Sequence, residues 1–182
     1  MAPSHLALAP ANMAEKLAAE FVGVFFLTLT ASLNVAQAIV SGGLAIAAAL
    51  ACLVYSLGSI SGAHLNPAVT LAIGLSKRGL IETGDAFKYV IIQIIAGICG
   101  ALVGAGMLTG TATFPIGPAV ERSWLQLSVV EALFTGVLCL VVLCVATSLK
   151  AQSKEFFGLA IGRYRSVEFS SQWLAIARYR SV

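Results

Sequence analysis

The sequence has very little charge. Only 10% of its 182 residues are Asp, Glu, Lys or Arg, whereas a soluble domain carries about 25%. Residues 21–76 contain none of these four residue types. Because 59% of the residues are hydrophobic and the mean hydropathy is +0.94, the composition excludes a soluble globular protein and predicts an integral membrane protein. The net charge of +3 is small, so we expect the lipid bilayer as a partner and no nucleic acid.

The sequence also lacks the residue patterns of catalysis and metal binding. We find no nucleophile–base set, no phosphate-cradling glycine loop and no cluster with metal-ligand spacing. The four cysteines all fall inside apolar segments, where we expect them to act as small buried hydrophobic residues. We therefore predict that the protein is not an enzyme and needs no cofactor or metal.

Four apolar segments are long enough to cross a bilayer, which takes about 20 residues. They are residues 14–35, 38–59, 87–109 and 124–148. A shorter apolar piece, residues 67–75, cannot span and has the length expected of a re-entrant half-helix. The pattern predicts an all-α membrane protein.

The run SGAHLNPAVT, residues 61–70, lies in the uncharged stretch and should interrupt a helix there. Asn66 is a good N-cap and Pro67 suits the first position of a new helix. Non-helical backbone at membrane depth is tolerated only where protein buries it or where it lines a water-filled cavity. The run therefore predicts a pore, with a half-helix whose N-terminus points at the conduction path.

This run resembles the first Asn-Pro-Ala loop of the aquaporin, or major intrinsic protein, family. Four other parts of the chain resemble the family's helices: residues 19–21, Gln93 with residues 97–101, residues 143–147, and residues 156–162. The resemblance as a whole extends over about residues 14–162. The resemblance implies an incomplete aquaporin-like helical bundle with one re-entrant half-helix, about four spanning helices and the start of a fifth. It also implies a passive channel for water and small neutral solutes such as glycerol, and a homotetramer when full-length.

The resemblance assigns the main pore role to Asn66. Its side-chain amide would donate a hydrogen bond to water at the midplane, at the positive end of the half-helix dipole. The alternative is that Asn66 only caps the half-helix. Pro67 and Ala68 would shape the half-helix, and their small surfaces would allow contact with a partner loop.

The residues before Asn66 are expected to line the vestibule. Backbone carbonyls around Gly62, Ala63 and His64 would accept hydrogen bonds from a passing water molecule. These bonds would replace the ones that the water molecule makes in bulk solvent. The side chain of His64 is either a fixed loop residue hydrogen-bonded to the backbone or a pH sensor.

Two acids and one aliphatic residue complete the candidate site. Glu20 and Glu131 lie in or near spans, where acids are functional candidates. The resemblance implies instead that each is a structural, buried acid that accepts hydrogen bonds from the backbone of a half-helix loop. Because the second such loop is missing from the sequence, Glu131 is expected to be buried without that partner. Ile46 lies twenty residues before Asn66, the family's spacing for a position of the narrow constriction. Water-selective members often have an aromatic there, so Ile46 favours admitting small neutral solutes as well.

Basic residues cluster after the half-helix and after the fourth span: Lys77, Arg78, Lys88, Lys150 and Lys154. By the positive-inside rule, the N-terminus, the Asn-Pro-Ala loop and residues 149–155 face the cytoplasm. A plasma membrane and an internal membrane fit this pattern equally.

The last part of the chain changes character. Arg163, Arg165 and Glu168 fall where a fifth span would be deepest, and each charge would cost about 2.5–3.5 kcal/mol at a helix centre. Residues 160–167 are nearly repeated as residues 175–182. We therefore expect a divergent, basic tail rather than a completed fifth span.

The predicted organisation is an aquaporin-like transmembrane domain, residues 1–155, followed by the divergent tail, residues 156–182. No second Asn-Pro pair follows Pro67, which predicts a C-terminally truncated member. The main alternative to a channel is a non-conducting form that co-assembles with or regulates full-length subunits. A secondary transporter would want a binding acid at the midplane, and a membrane scaffold would have no need of the Asn-Pro-Ala turn.

Overall fold

The computed structural model describes residues 10–36, 41–108, 123–147 and Ile161. All its described elements are helices: α1 (Met13–Ala36), α2 (Gly42–Ser61), α3 (Pro67–Leu75), α4 (Thr83–Met107) and α5 (Trp124–Thr147). Four of them, all except α3, are long and apolar enough to cross a membrane. The architecture is that of an incomplete aquaporin-like helical bundle, as the sequence predicts.

The start of α4 differs from the prediction. The helix begins at Thr83 and not at residue 87, because its first turn is polar and apolar content does not reveal a polar turn. Glu82 precedes the helix in an extended conformation and Asp85 lies in its first turn, where the helix dipole favours negative charge. Residues 37–40, 109–122, 148–160 and 162–182, and with them almost all of the predicted tail, lie outside the described residues.

Small residues allow α4 to approach α1 closely. A Cβ atom built on Gly100 would lie 2.6 Å from the carbonyl oxygen of Phe25, and one on Gly104 would lie 2.9 Å from the Cβ of Ser32. Both distances are too short for any other residue type to fit unmoved. The Gly100-xxx-Gly104 face is therefore the contact surface between these two helices, as small-xxx-small faces are in membrane bundles.

The short helix α3 lies inside the bundle, packed against α4 and α5. Its Val69, Thr70 and Ile73 are almost fully buried. The helices α1 and α2 pack against each other and α1 also packs against α4, so that the loop before α3 is enclosed by protein.

The cysteines are not the buried residues that the sequence predicts. Cys52 and Cys144 are exposed, and Cys99 and Cys139 are intermediate. The physical reason is that in a spanning helix an apolar face can be covered by lipid as well as by protein. Large apolar residues such as Leu102 and Leu133 are exposed on the bundle surface for the same reason.

Candidate functional site

The candidate site begins where α2 ends, in a loop with unusual backbone angles. Gly62, Ala63 and Leu65 have φ of +87°, +47° and +50°. Glycine adopts this left-handed region freely, but each non-glycine residue held there costs about 1–3 kcal/mol and persists only when its surroundings impose it. The loop must therefore be held by strong contacts.

Glu20 supplies those contacts from α1. Its Oε1 accepts hydrogen bonds from Ser61 Oγ (2.6 Å) and His64 N (2.9 Å). Its Oε2 accepts from Leu65 N (2.7 Å) and Gln93 Nε2 (2.8 Å). The side chain is fully buried, and four donors satisfy it. Two of these four donors, His64 N and Leu65 N, belong to the backbone of the loop.

A second layer of hydrogen bonds ties the loop to α3 and α4. Gln93 Nε2 also donates to Thr70 Oγ1 (3.0 Å), and Thr70 Oγ1 donates to the carbonyl oxygen of Asn66 (3.0 Å) or to Gln93 Oε1 (3.2 Å). On the other side of the loop, Tyr89 OH donates to the carbonyl oxygen of Ser61 (2.9 Å). The loop is therefore fixed by α1 and α4 together.

Asn66 is the N-cap of α3. Its backbone is extended (φ −159°, ψ 129°), its Oδ1 accepts a hydrogen bond from Ala68 N (2.8 Å), and Pro67 follows at the first helical position. The cap uses only the oxygen of the amide and leaves the Nδ2 group for another partner. Capping and donation to a solute are therefore compatible in one side chain.

Asn66 and Pro67 lie in the wall of a cavity of about 510 Å³, called here the large cavity. Most of its wall is apolar, and the four spanning helices all contribute to it: Val24, Ile46, Leu50, Val54, Ile94, Ile98, Leu138 and Val142. Polar groups enter the wall from the loop and from Gln93. The cavity thus combines an apolar surface with a small number of hydrogen-bonding groups, which is the usual composition of a small-molecule site.

A second cavity of about 220 Å³, the small cavity, lies on the other side of the loop. Charged and polar residues from α1, the end of α2 and the start of α4 contribute to its wall: Lys16, Ser61, Glu82, Asp85 and Tyr89. Lys88 forms an exposed ion pair with Asp85 nearby (2.9 Å). This polar composition suits an aqueous entrance.

The structure brings most of the sequence-predicted site residues together. Ala63, His64, Asn66, Pro67 and Ile46 all line the large cavity. Gly62 and Ala68 lie outside both cavities. Gly62 has the left-handed backbone conformation that begins the loop, and Ala68 N donates the capping hydrogen bond to Asn66 Oδ1.

Glu131 is a correction. The sequence predicts a buried acid, but Glu131 is exposed on α5. Among the described residues, α3 is the only helix with an extensive contact to α5. Its surroundings therefore differ from those of Glu20, despite the similar placement of the two acids in the sequence.

Sequence reasoning gave no role to Ser61, Thr70 or Tyr89, which hold the loop. A signal was present, because polar residues within an apolar bundle need hydrogen-bond partners. Thr70 lines neither cavity and is completely buried. Its hydroxyl group therefore needs a hydrogen-bond partner within the protein. The pattern alone did not reveal which residues these were.

Comparison with known proteins gives a consistent picture. A family model described as "Major intrinsic protein" matches residues 5–172, and so extends past residue 162, where the resemblance was expected to end. The glycerol uptake facilitator protein-like 6 of Lactiplantibacillus plantarum is 37% identical over 160 residues, covering 81% of this chain and 70% of the relative.

Two further relatives come from a plant and an archaeon. Aquaporin NIP1-1 of Arabidopsis thaliana is 36% identical over 163 residues, covering 81% of this chain and 54% of the relative. The probable aquaporin AqpM of Archaeoglobus fulgidus is 40% identical over 130 residues, covering 66% of this chain and 50% of the relative. The chain spans about half the length of these two curated relatives.

Proposed function

The chain belongs to the major intrinsic protein family, and we propose that it is a passive transmembrane channel for water and small neutral solutes such as glycerol. It is an integral, multi-pass membrane protein, and the described part of the chain contains four helices of spanning length. The observation that carries the proposal is the position of Asn66, which caps α3 with its Oδ1, leaves its Nδ2 unused by the cap, and lies in the wall of the large cavity.

The chemistry of the large cavity supports this proposal. Its apolar wall offers a solute few hydrogen bonds, so that water or a polyol is not held tightly at any point. The Nδ2 group of Asn66 replaces one hydrogen bond of a desolvated hydroxyl group, and the N-terminus of α3 adds a positive potential that disfavours cations and protons. Transport by such a passage is downhill and uses no cofactor.

The same wall supports a preference that includes glycerol. Ile46 is almost fully buried and lines the large cavity with an aliphatic side chain. An aliphatic group leaves more width than an aromatic ring and packs well against the carbon backbone of a polyol. One relative is named as a glycerol uptake facilitator protein-like protein, and this preference is part of the proposal.

Orientation and assembly are also proposed. The N-terminus, the loop before α3 and the connection between α3 and α4, with Lys77 and Arg78, face the cytoplasm by the positive-inside rule. The subunit is proposed to form a homotetramer when full-length, as the family resemblance implies. The exposed apolar faces of its helices then contact lipid or neighbouring subunits.

The test is stopped-flow shrinkage of proteoliposomes that contain the purified chain. Asn66→Asp keeps the capping oxygen, since Asp and Asn cap helices about equally well, but it replaces the Nδ2 donor by a negatively charged acceptor. Asn12→Asp is the matched control, because Asn12 Oδ1 accepts from Glu15 N at the exposed start of α1. We expect fast water flux in the wild type and in Asn12→Asp, and much slower flux in Asn66→Asp.

Wild-type shrinkage no faster than that of empty liposomes, with the chain inserted, would overturn the channel proposal. The alternative from the sequence, a non-conducting form that co-assembles with or regulates full-length subunits, would then replace it. Co-reconstitution with a full-length relative tests that alternative, which expects the relative's flux per subunit to change when this chain is added.

A further inference from the structure

His64 occupies a position that no other residue of the two cavity walls shares. It lines the large cavity together with Asn66, and it lines the small cavity together with Lys16 and Tyr89. His64 is therefore the residue at which the walls of the two cavities meet, and it is 9% exposed there. The ring is held from one side by Tyr89, with centroids 5.2 Å apart at an interplanar angle of 60°.

The two nitrogens of the ring face different surroundings. Nδ1 lies 3.2 Å from Thr70 Oγ1, inside the buried hydrogen-bond network. The opposite edge faces the loop, since a Cβ atom built on Gly62 would lie 3.4 Å from both Cδ2 and Nε2 of His64. Gly62 is exposed, so Nε2 lies on the edge of the ring that is next to an exposed residue of the loop.

Counting hydrogens in the network favours a proton on one of the two ring nitrogens. Glu20 Oε2 accepts from the amide of Gln93 at 2.8 Å, so the NH₂ group of Gln93 faces Glu20, and the same group donates to Thr70 Oγ1 at 3.0 Å. The orientation of the Gln93 amide is therefore fixed, because a carboxylate oxygen here can only accept.

The hydroxyl of Thr70 has one proton to give. Two carbonyl oxygens, of the Asn66 backbone (3.0 Å) and the Gln93 side chain (3.2 Å), can receive it, and neither can donate in return. His64 Nδ1 is the contact that can act as a donor to the remaining lone pair of Thr70 Oγ1. The carbonyl oxygen of Asn66 already accepts a hydrogen bond from Thr70 N (3.0 Å), so the hydroxyl proton of Thr70 is available to Gln93 Oε1. An unprotonated Nδ1 would compete with Gln93 Oε1 for that one proton, whereas a protonated Nδ1 fills the remaining lone pair of Thr70 Oγ1. The neutral ring then has no proton on Nε2.

We propose that Thr70 holds His64 as the Nδ1–H tautomer, so that the ring presents an unprotonated Nε2 as the hydrogen-bond acceptor at the passage between the small and the large cavity. Its ligand is a hydroxyl hydrogen of water or of a polyol, and in this respect the inference rests on the proposed function. Asn66, next in line, offers a donor. A hydroxyl group thus meets an acceptor at His64 first and a donor at Asn66 second. This order excludes solutes that cannot both donate and accept a hydrogen bond.

The tautomer is measured directly by nitrogen NMR of the full chain in liposomes, with ¹⁵N-labelled histidine at alkaline pH. The sequence has one other histidine, His5, and a His5→Gln background leaves a single imidazole. We expect a protonated Nδ1 and an unprotonated Nε2. We also expect Thr70→Val to lose this preference, because it removes the acceptor, and Thr70→Ser to keep it. A wild-type ring protonated at Nε2, or a preference unchanged in Thr70→Val, would overturn the proposal.

Access to the passage is tested in the same samples by magnetisation transfer from water to the ring nitrogens. We expect transfer from water to Nε2. If no transfer reaches Nε2, water has no access to it, and this result would refute the placement of Nε2 at the passage. These measurements do not depend on conduction. A chain with the expected tautomer but no water flux would refute the proposed channel and leave the assignment of His64 intact, while a conducting chain with the opposite tautomer would do the reverse.

Discussion

Glu20 Oε2 and the backbone nitrogen of Leu65 are joined by a hydrogen bond of 2.7 Å across 45 positions of sequence. Leu65 has a φ of +50°, and the bond from Glu20 helps to hold this strained residue directly before the N-cap of α3. The position of Asn66 in the cavity wall therefore depends on an acid in α1.

Substituting Glu20 tests that dependence. In Glu20→Gln one oxygen becomes an NH₂ group, and it must face either Ser61 and His64 or Leu65 and Gln93, all of which donate. Each buried donor left without an acceptor costs about 1–3 kcal/mol. We expect a clearly lower melting temperature in detergent and slower water flux.

The control is Glu15→Gln in the same helix. Glu15 accepts one exposed hydrogen bond from Asn12 N (2.9 Å), and the oxygen of a glutamine side chain can accept it equally. Equal melting temperatures for the two variants would mean that Glu20 does not hold the loop.

Two glycines of α4 are expected to change the stability of the protein in opposite directions when each is replaced by alanine. Gly100→Ala would place its Cβ 2.6 Å from the Phe25 carbonyl oxygen, and overpacking of this kind costs about 1–3 kcal/mol. Gly106→Ala in the same helix meets nothing within 4 Å, and should stabilise the helix by about 0.5–1 kcal/mol. Thermal unfolding checks both. Equal shifts of the two melting temperatures would argue against close packing of α1 and α4.

The amount that the sequence could predict varied from element to element. The bounds of α3 follow from Asn66 and Pro67, because capping is a local effect that adjacent residues determine. The start of α4 was wrong by four residues, since apolar content does not report a polar first turn. The contact from Glu20 to the loop was indicated by family resemblance and not by any spacing in the chain.

Other features depend on packing that a sequence does not display. Glu131 and Glu20 look alike in the sequence, but burial depends on what packs over each of them, and Glu131 is exposed. The bonds from Thr70 to Gln93 and from Tyr89 to Ser61 join positions 23 and 28 residues apart. The polar residue types predicted that partners exist, and the fold determined which ones.

The proposed orientation makes a labelling prediction. Thr83 at the start of α4 and Ser123 before α5 are both exposed and lie on opposite sides of the membrane in the proposed topology. In a background with the native cysteines replaced by alanine, an impermeant maleimide should label Ser123→Cys in intact cells and Thr83→Cys only after lysis. The reverse pattern would invert the topology.

Ile46 makes a prediction about solute preference. Ile46→Phe places an aromatic ring in the wall of the large cavity and narrows it, so that glycerol should be slowed more than water. The measurement compares glycerol and water fluxes of one proteoliposome preparation. Leu44→Phe on the exposed face of α2 is the control, and an unchanged ratio in Ile46→Phe would remove Ile46 from the constriction.

The central claim is that the large cavity is the conduction path, and the most direct measurement is water flux after part of that cavity is filled. Val142 is buried in its wall, whereas Leu140, two residues away on α5, is exposed. A cavity of about 510 Å³ has room for the larger ring of Val142→Phe without overpacking. Stopped-flow shrinkage should be strongly slowed in Val142→Phe and unchanged in Leu140→Phe. Equal and fast flux in both variants would contradict the account, because water would then cross the protein by another route.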